Sequence, residues 1–529
     1  MSSKKHTIIV CDHIHDDGLK ILKSAEGIDF IDASDVDKNE LLKRLDTCDV
    51  AITRSSTNVD EKFLNSAKNL KAIIRAGVGY DNVDMQACSK KGVIAMNIPT
   101  ANTIAAVELT MTHILACMRK FPFAHEQLKN QRIWKREDWY GNELFGKKLG
   151  IIGFGNIGHR VGIRAKAFEM EVLAFDPYIS PAKALDLDIK YTRNFDDILA
   201  CDIITIHTPK NSETINMINE EEISKMKDGV ILINCARGGL YNEDALYKNL
   251  KSKKIEMAGI DVFTKEPAND NKLLDLDNII VTAHLGANTK ESQKQIAIQA
   301  ANNALDSARG IAFPNALNLP IDENSLSVCV KTFVELAQKI GFLGAQVMKS
   351  PIRSIALNAQ GDISKHLEPL LSFACVGALS VSLGDEINYI NANFIAKDNN
   401  ISLKTSKQES ESGYSNKISL KLGTKDGFIN IAATVFGENI QRIVEIDGFS
   451  LDIEPKGKMI LFRNVDVPGV IGDVGKILGD YKINVADFRL ARCKKDALAL
   501  IIVDEKIPTK LIEELESIEA AISVSYVEI

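Results

Sequence analysis

KLGIIGFGNIGHR, residues 148–160, constrains this chain more than any other stretch. A short apolar run enters Gly153, Gly155 and Gly158, spaced GxGxxG, and helical spacing follows. In a strand–turn–helix unit the first glycine permits the tight turn. The second lets a pyrophosphate approach the backbone, and the third lets helix and strand pack closely. The helix N-terminus then presents free N–H groups to phosphate charge. A bare GxGxxG is weak evidence, since a glycine-rich turn with a capping aspartate would read the same. Here the next strand candidate, in MEVLAFDPY, ends at Asp176, close to the ~20-residue offset of a dinucleotide fingerprint. An acid there accepts hydrogen bonds from ribose hydroxyls and repels a 2′-phosphate, so NAD is expected over NADP.

The surroundings fit a sheet that could carry such a turn. From 148 to 283, KLGIIG, MEVLAFDP, DIITIHTP, GVILINCA, EMAGIDVF and NIIVTAH are six strand candidates separated by helices or long loops. Before them HTIIVCD, IDFIDA, DVAITR, LKAIIRAG and GVIAMNIP alternate with amphipathic stretches, which predicts a second parallel sheet covered on both faces. ANTIAAVELTMTHILACMRK reads as a long apolar helix in which His113 is a core residue. Composition shifts at FPNALNLP; a helix, FVELAQKIGFLGAQVM, and strands such as KISLKLG, GFINIAATVFG and RIVEIDGFSLDI follow. KTSKQESESGYSNK between them reads as a polar loop. After EPKGK the order is strand, helix, strand, strand, helix, strand, a compact α+β module.

At 529 residues the chain exceeds one hydrophobic core. Its net charge of −7 and the lack of a long Lys/Arg cluster argue against a nucleic-acid partner. KNQRIWKRED is the densest basic patch, and it is short. No apolar run is expected to span a membrane, and MSSKKHTIIVCDHI reads as a buried first strand rather than a signal peptide. Nine cysteines without a CxxC pair or metal-type spacing read as reduced core thiols, so no metal is expected and the cytoplasm is.

A nicotinamide cofactor moves hydride, so its substrate needs a proton partner and a cation to hold and polarise it. Arg237 in INCARGG, Glu266 in DVFTKEP and His284 in TAHLGANT stand at or just beyond strand ends, the side where ligands bind in such sheets. GIIGFGNIGHR, FDPY, INCARGG, DVFTKEP and TAHLGANT, in this order, resemble the D-isomer-specific 2-hydroxyacid dehydrogenases. The resemblance implies that His284 is the acid–base, Glu266 its hydrogen-bonded partner, and Arg237 the ligand of the substrate carboxylate and carbonyl. It implies cofactor contacts at Val78, Asn156, Ile157, Asp176, Thr208, Cys235, Ala236, Arg237, Asp261, His284, Leu285, Gly286 and Ala287. Val78 departs from the hydroxyl residue common there, which leaves a backbone contact.

The implied fold class is α/β, with two doubly wound parallel-sheet domains and two α+β domains. Residues 1–100 with 284–316 would form a discontinuous substrate domain, and 101–283 an inserted Rossmann NAD-binding domain. Residues 317–453 would form an intervening domain, and 457–529 an ACT domain. The narrower resemblance, to long family members acting on 3-phosphoglycerate, implies phosphate and substrate contacts at Arg54, Arg75 and Asn102, and at Arg136 reaching across a dimer. NVDVPGVIGDVGKILGDYKINVADF resembles an ACT domain, with Asn464, Asp466 and Asn484 at the effector positions and L-serine the implied effector. A dimerisation module without ligand is the other reading of that segment. A homodimer or homotetramer is expected. Two other functions compete: a dehydrogenase for another small 2-hydroxy or 2-keto acid, such as 2-oxoglutarate, and an NAD-sensing binding protein.

Overall fold

The computed structural model describes residues 5–319, 327–348, 350–408 and 413–529. The first sheet is parallel, in the order β2-β1-β3-β4-β5. Its strands are β1 (His6–Val10), β2 (Ile28–Asp32), β3 (Val50–Thr53), β4 (Ala72–Arg75) and β5 (Ile94–Asn97). Side chains on both faces of β3 are buried, because helices cover both sides. The helix Lys290–Ala308 returns to this sheet and packs on the helix Asp16–Lys23, where Gly18 lies against the backbone of Ala297.

The second sheet has seven parallel strands, not six. They are β6 (Lys148–Ile152), β7 (Glu171–Phe175), β8 (Lys190–Thr192), β9 (Ile203–Ile206), β10 (Val230–Asn234), β11 (Ile255–Ile260) and β12 (Ile279–Val281). Their order is β12-β11-β10-β9-β6-β7-β8, doubly wound about β6. β8 is an edge strand of three residues, too short and polar to show a pattern. The helix Thr103–Arg119 packs on this sheet and on the helix Gly158–Ala167. After it the chain turns at Lys120, with φ 50°, into an arm that exposes Trp134 and Tyr140.

The third unit pairs the helices Val328–Val347 and Leu367–Leu383 over a mixed sheet. That sheet contains β13 (Ser354–Gln360), β14 (Ser402–Gln408), β15 (Lys417–Gly423), β16 (Phe428–Phe436), β17 (Ile440–Ile446) and β18 (Phe449–Ile453), in the order β14-β13-β15-β16-β17-β18. The helices touch through glycine: a Cβ on Gly377 would lie 1.9 Å from the Gln338 carbonyl. Contrary to the expectation from sequence, Asp362–Leu383 is long and apolar enough to cross a membrane by length and composition. Here Leu370, Ala374 and Cys375 in it are buried in the core. Two further readings change. Part of the expected polar loop is edge strand β14, and RIVEIDGFSLDI is a hairpin, turning at Asp447 (φ 49°) and Gly448 (φ 85°).

The fourth unit has β19 (Lys458–Val465), β20 (Val485–Cys493), β21 (Asp496–Val503) and β22 (Ala521–Glu528) in the antiparallel order β20-β21-β19-β22. One face carries the helices Val470–Asp480 and Thr509–Glu516. From the other face Met459, Leu461, Leu498 and Leu500 enter the same core as Phe333, Ile340 and Leu343 of the third unit.

Candidate active site

The glycine turn after β6 has the close backbone geometry its spacing suggests. Gly153 has φ 88°, and a Cβ there would lie 2.7 Å from the His207 carbonyl. A Cβ on Gly158 would lie 2.0 Å from the Gly153 carbonyl, so the helix can approach only without one. At Gly155 nothing among the described residues lies within 4 Å of that position, which leaves the backbone open to a ligand. Asp176 follows β7 and accepts the Phe154 N–H at 2.8 Å and the Tyr178 N–H at 2.9 Å. Its carboxylate therefore fixes the turn and puts an acid at the end of β7. The buried Thr208 Oγ1, on the same cleft, has no partner among the described residues. Open backbone, acid and orphaned hydroxyl together fit a dinucleotide without a 2′-phosphate.

His284 leaves β12 with φ 54°, a left-handed conformation uncommon outside glycine. Its Nδ1 lies 2.8 Å from Glu266 Oε2, while Glu266 Oε1 accepts the Phe263 N–H at 3.0 Å. Burial raises the Glu266 carboxyl. The bonds from His284 and Phe263, with Arg237 nearby, outweigh burial and hold its pKa below the usual glutamate range. An ionised Glu266 assigns the proton to Nδ1 and leaves Nε2 for exchange with a ligand. The other cleft histidine, His207, is unsuited to that work: desolvation pushes it down to about 3, so it stays neutral.

Cations converge opposite this pair. Arg237 follows β10 in a loop tied by Asn234, whose Nδ2 donates to the Arg237 carbonyl at 2.9 Å. Its Nε lies 3.2 Å from Asp81 Oδ2, an ion pair across the cleft between the two parallel-sheet units. Burial, with Arg237 and Arg54 adding to it, pushes Arg75 down to about 10, still charged at neutral pH. Arg75 has no ion pair among the described residues, and its buried Nε has no hydrogen-bond partner. Arg54 donates to the His13 carbonyl at 3.0 Å, and burial lowers it against the pull of Asp12. Two glycines make room for these groups. A Cβ on Gly77 would lie 1.8 Å from Arg75 Nη1, and one on Gly79 would lie 2.1 Å from Arg237 Nη2. Val78 sits between them, its carbonyl held by Asn97 Nδ2 at 2.7 Å.

A cleft of about 310 Å³ brings together Val78, Asn102, Ile157, Thr208, Cys235, Ala236, Arg237, His284, Gly286 and Ala287. Asn102 Oδ1 is buried there without a partner among the described residues. Asn156 is exposed beside the turn and does not line the cleft, and neither does Leu285. The Asp261 carboxylate is taken up by Thr282, Leu285 and Gly286 instead of facing the cleft. Arg136 lies on the exposed arm, away from the cleft of its own chain. Sequence reasoning missed Gly79, Asp81, His207 and Lys210, all of which line the cleft. The glycine pair flanking Val78 was a legible signal; the pairing of Asp81 with Arg237, between distant segments, was not.

In the fourth unit Asn464 and Asp466 share a hollow of about 450 Å³. Asn464 Nδ2 donates to the Val465 carbonyl at 2.6 Å, and Asp466 Oδ2 lies 3.3 Å from Arg492 Nε. Asn484 is not with them: it precedes β20 and bonds Asp504 Oδ2 at 2.5 Å.

Comparison with known proteins accords with this geometry. Residues 111–286 match the NAD binding domain of D-isomer specific 2-hydroxyacid dehydrogenases. Residues 329–447 match the D-3-phosphoglycerate dehydrogenase intervening domain, and 458–520 the ACT domain. D-3-phosphoglycerate dehydrogenase of Bacillus subtilis is 38% identical over 526 residues, 99% of each chain. That of Methanocaldococcus jannaschii is 37% identical over 516 residues, 97% of each. A D-lactate dehydrogenase from Aquifex aeolicus, solved with NAD and lactic acid, superposes with TM-score 0.52 at 29% identity, covering 59% of this chain and 99% of its own. A glyoxylate reductase from Paecilomyes thermophila gives 0.53 at 26%, covering 59% and 98%. Fold and site define an NAD-dependent oxidoreductase. The chain belongs to the D-3-phosphoglycerate dehydrogenases, a branch of the D-isomer-specific 2-hydroxyacid dehydrogenase family.

Proposed function

We propose that the enzyme interconverts 3-phospho-D-glycerate and 3-phosphooxypyruvate, the entry step of phosphorylated serine synthesis. The observation that carries this reading is the His284–Glu266 pair at 2.8 Å facing a cleft that also holds Arg237, with Arg75 and Arg54 behind it. NAD, when bound, would supply the acceptor for the C2 hydride. His284 Nε2 takes the C2 hydroxyl proton, and the ionised Glu266 stabilises the imidazolium that results. Arg237 exchanges its contact with Asp81 for the substrate carboxylate and the developing carbonyl oxygen. Arg54 and Arg75 supply charge for the phosphate, where arginine binds in paired hydrogen bonds. Asn102 adds a neutral contact. Ile157, Thr208, Ala236 and Gly286, which line the cleft, would hold the cofactor, and Asp176 would accept its ribose hydroxyls.

The exposed apolar arm suits a second copy of the chain, and Arg136 on it would then reach the partner's cleft. L-serine is the proposed ligand of the fourth unit. Asp466 would leave Arg492 for the serine ammonium, and Asn464 would bind its carboxylate. Asn484, on the far side of the same unit, would complete that site from a second copy. All nine cysteines are free thiols, which suits the cytoplasm.

The test is NADH consumption with 3-phosphooxypyruvate, with and without L-serine, beside a His284→Ala control. Rapid loss of NADH that the control lacks is expected, slowed by serine. Loss only with an unphosphorylated keto acid such as 2-oxoglutarate would sink the substrate assignment. Silence with every keto acid would favour an NAD-sensing binding protein.

A further inference from the structure

We infer that His113 and Thr282 are positioning residues for the catalytic loop, acting through Asp261 to hold His284 in place. This rests on the reading of His284 as the acid–base. Asp261 is fully buried just beyond β11, and its carboxylate accepts three bonds. Thr282 Oγ1 donates at 2.6 Å, the Leu285 N–H at 2.7 Å and the Gly286 N–H at 2.9 Å. Its carbonyl accepts the His284 N–H at 2.8 Å. One residue thus gathers the backbone on both sides of His284, where the left-handed φ of 54° needs outside support.

The chain of contacts extends to the helix Thr103–Arg119. His113 Nε2 lies 2.9 Å from Thr282 Oγ1. That hydroxyl has one hydrogen, and it goes to Asp261, so Nε2 must donate to the oxygen. His113 is therefore the neutral Nε2–H tautomer. Its Nδ1 has no partner among the described residues and faces Gly259, where a Cβ would lie 2.9 Å away. Burial lowers the His113 pKa against the pull of Asp261, which agrees with a neutral ring. A polar residue retained only for packing would not need one tautomer aimed at the hydroxyl that satisfies a buried carboxylate. The same helix lines the cleft at Ala106, so it touches both the cleft and the support of the catalytic loop.

The full-length chain can test this. Thr282→Val and His113→Leu should each lower kcat for 3-phosphooxypyruvate roughly tenfold, the scale of a small misplacement of a reacting group. The KM for NADH should stay within about twofold of wild type, and Thr282→Ser should restore kcat. The double variant should be no slower than the slower single one, since both act through Asp261. Amide exchange of the 282–287 segment should quicken in Thr282→Val without cofactor. Unchanged kcat and exchange in Thr282→Val would overturn the inference, as would parallel losses of kcat and melting temperature that serine at 282 fails to restore. If the variants do not fold, nitrogen-15 spectra of the wild-type histidines decide: a protonated Nδ1 on His113 refutes the assignment. A wild-type chain inactive on every keto acid would defeat the proposed function instead, and the exchange and tautomer results would still judge the loop.

Discussion

At the scale of single residues the site depends on who holds each charge. The carboxyl of Glu266 lies below its ordinary value of 4.5 in the folded chain. Its contribution to stability is therefore fully present above that pH and is lost as pH falls through the lower folded value. Glu266→Gln should flatten that acid limb in a melting-temperature profile. It should also lower kcat about a hundredfold, because the imidazolium loses its counter-charge. Gly79→Ala tests the other half of the cleft. The atom its Cβ would meet is the tip of Arg237, which can swing away, so the melting temperature should hold. The displaced guanidinium should raise the KM for the keto acid about tenfold or more, the worth of a charge-assisted hydrogen bond, with the KM for NADH unchanged. His284, Glu266 and Arg237 could be named from sequence because each follows a strand end in a fingerprint segment. Asp81 could not, since its meaning comes from an ion pair between segments far apart in the chain.

Among the elements, legibility followed burial. Strands of the two parallel sheets are covered on both faces, so they appear as apolar runs that need no partner to be recognised. Two edge strands lack this signature: Lys190–Thr192 is three residues, and Ser402–Gln408 carries mostly exposed side chains. The helix Leu367–Leu383 is apolar on nearly every face, which leaves little period to read. The turn at Asp447 and Gly448 was visible as an Asp-Gly pair, yet lay inside what looked like one strand. The glycine turn is the opposite case, where a sequence pattern states a packing distance. Gly158→Ala would force a methyl group onto the Gly153 carbonyl, and backbone cannot swing aside as a side chain does. A loss of about 1–3 kcal/mol is expected in thermal or urea unfolding, the range for overpacking, together with weaker NADH binding by fluorescence.

For the whole molecule the sequence suggested a compact C-terminal module of its own, and the packing joins it to the third unit. Met459, Leu461, Leu498 and Leu500 of the fourth unit complete a core begun by Phe333 and Leu343 of the third. Removing residues 455–529 would uncover that core, so truncation should lower the melting temperature and promote aggregation whatever serine does. Point changes separate regulation from support. Asp466→Asn exchanges a surface ion pair with Arg492 for a neutral group, which should cost little stability. It should abolish the slowing by serine and leave basal turnover intact. The third unit in turn meets the first at the Gly92 turn, where Asn388 Nδ2 donates to the Gly92 carbonyl at 2.9 Å and Ile390 enters the first unit's core. β5 begins there and ends at Asn97, which holds the Val78 carbonyl in the cleft. Asn388→Ala should therefore weaken serine inhibition while serine still binds, as read by calorimetry beside the NADH assay. Full inhibition in that variant would place the coupling elsewhere.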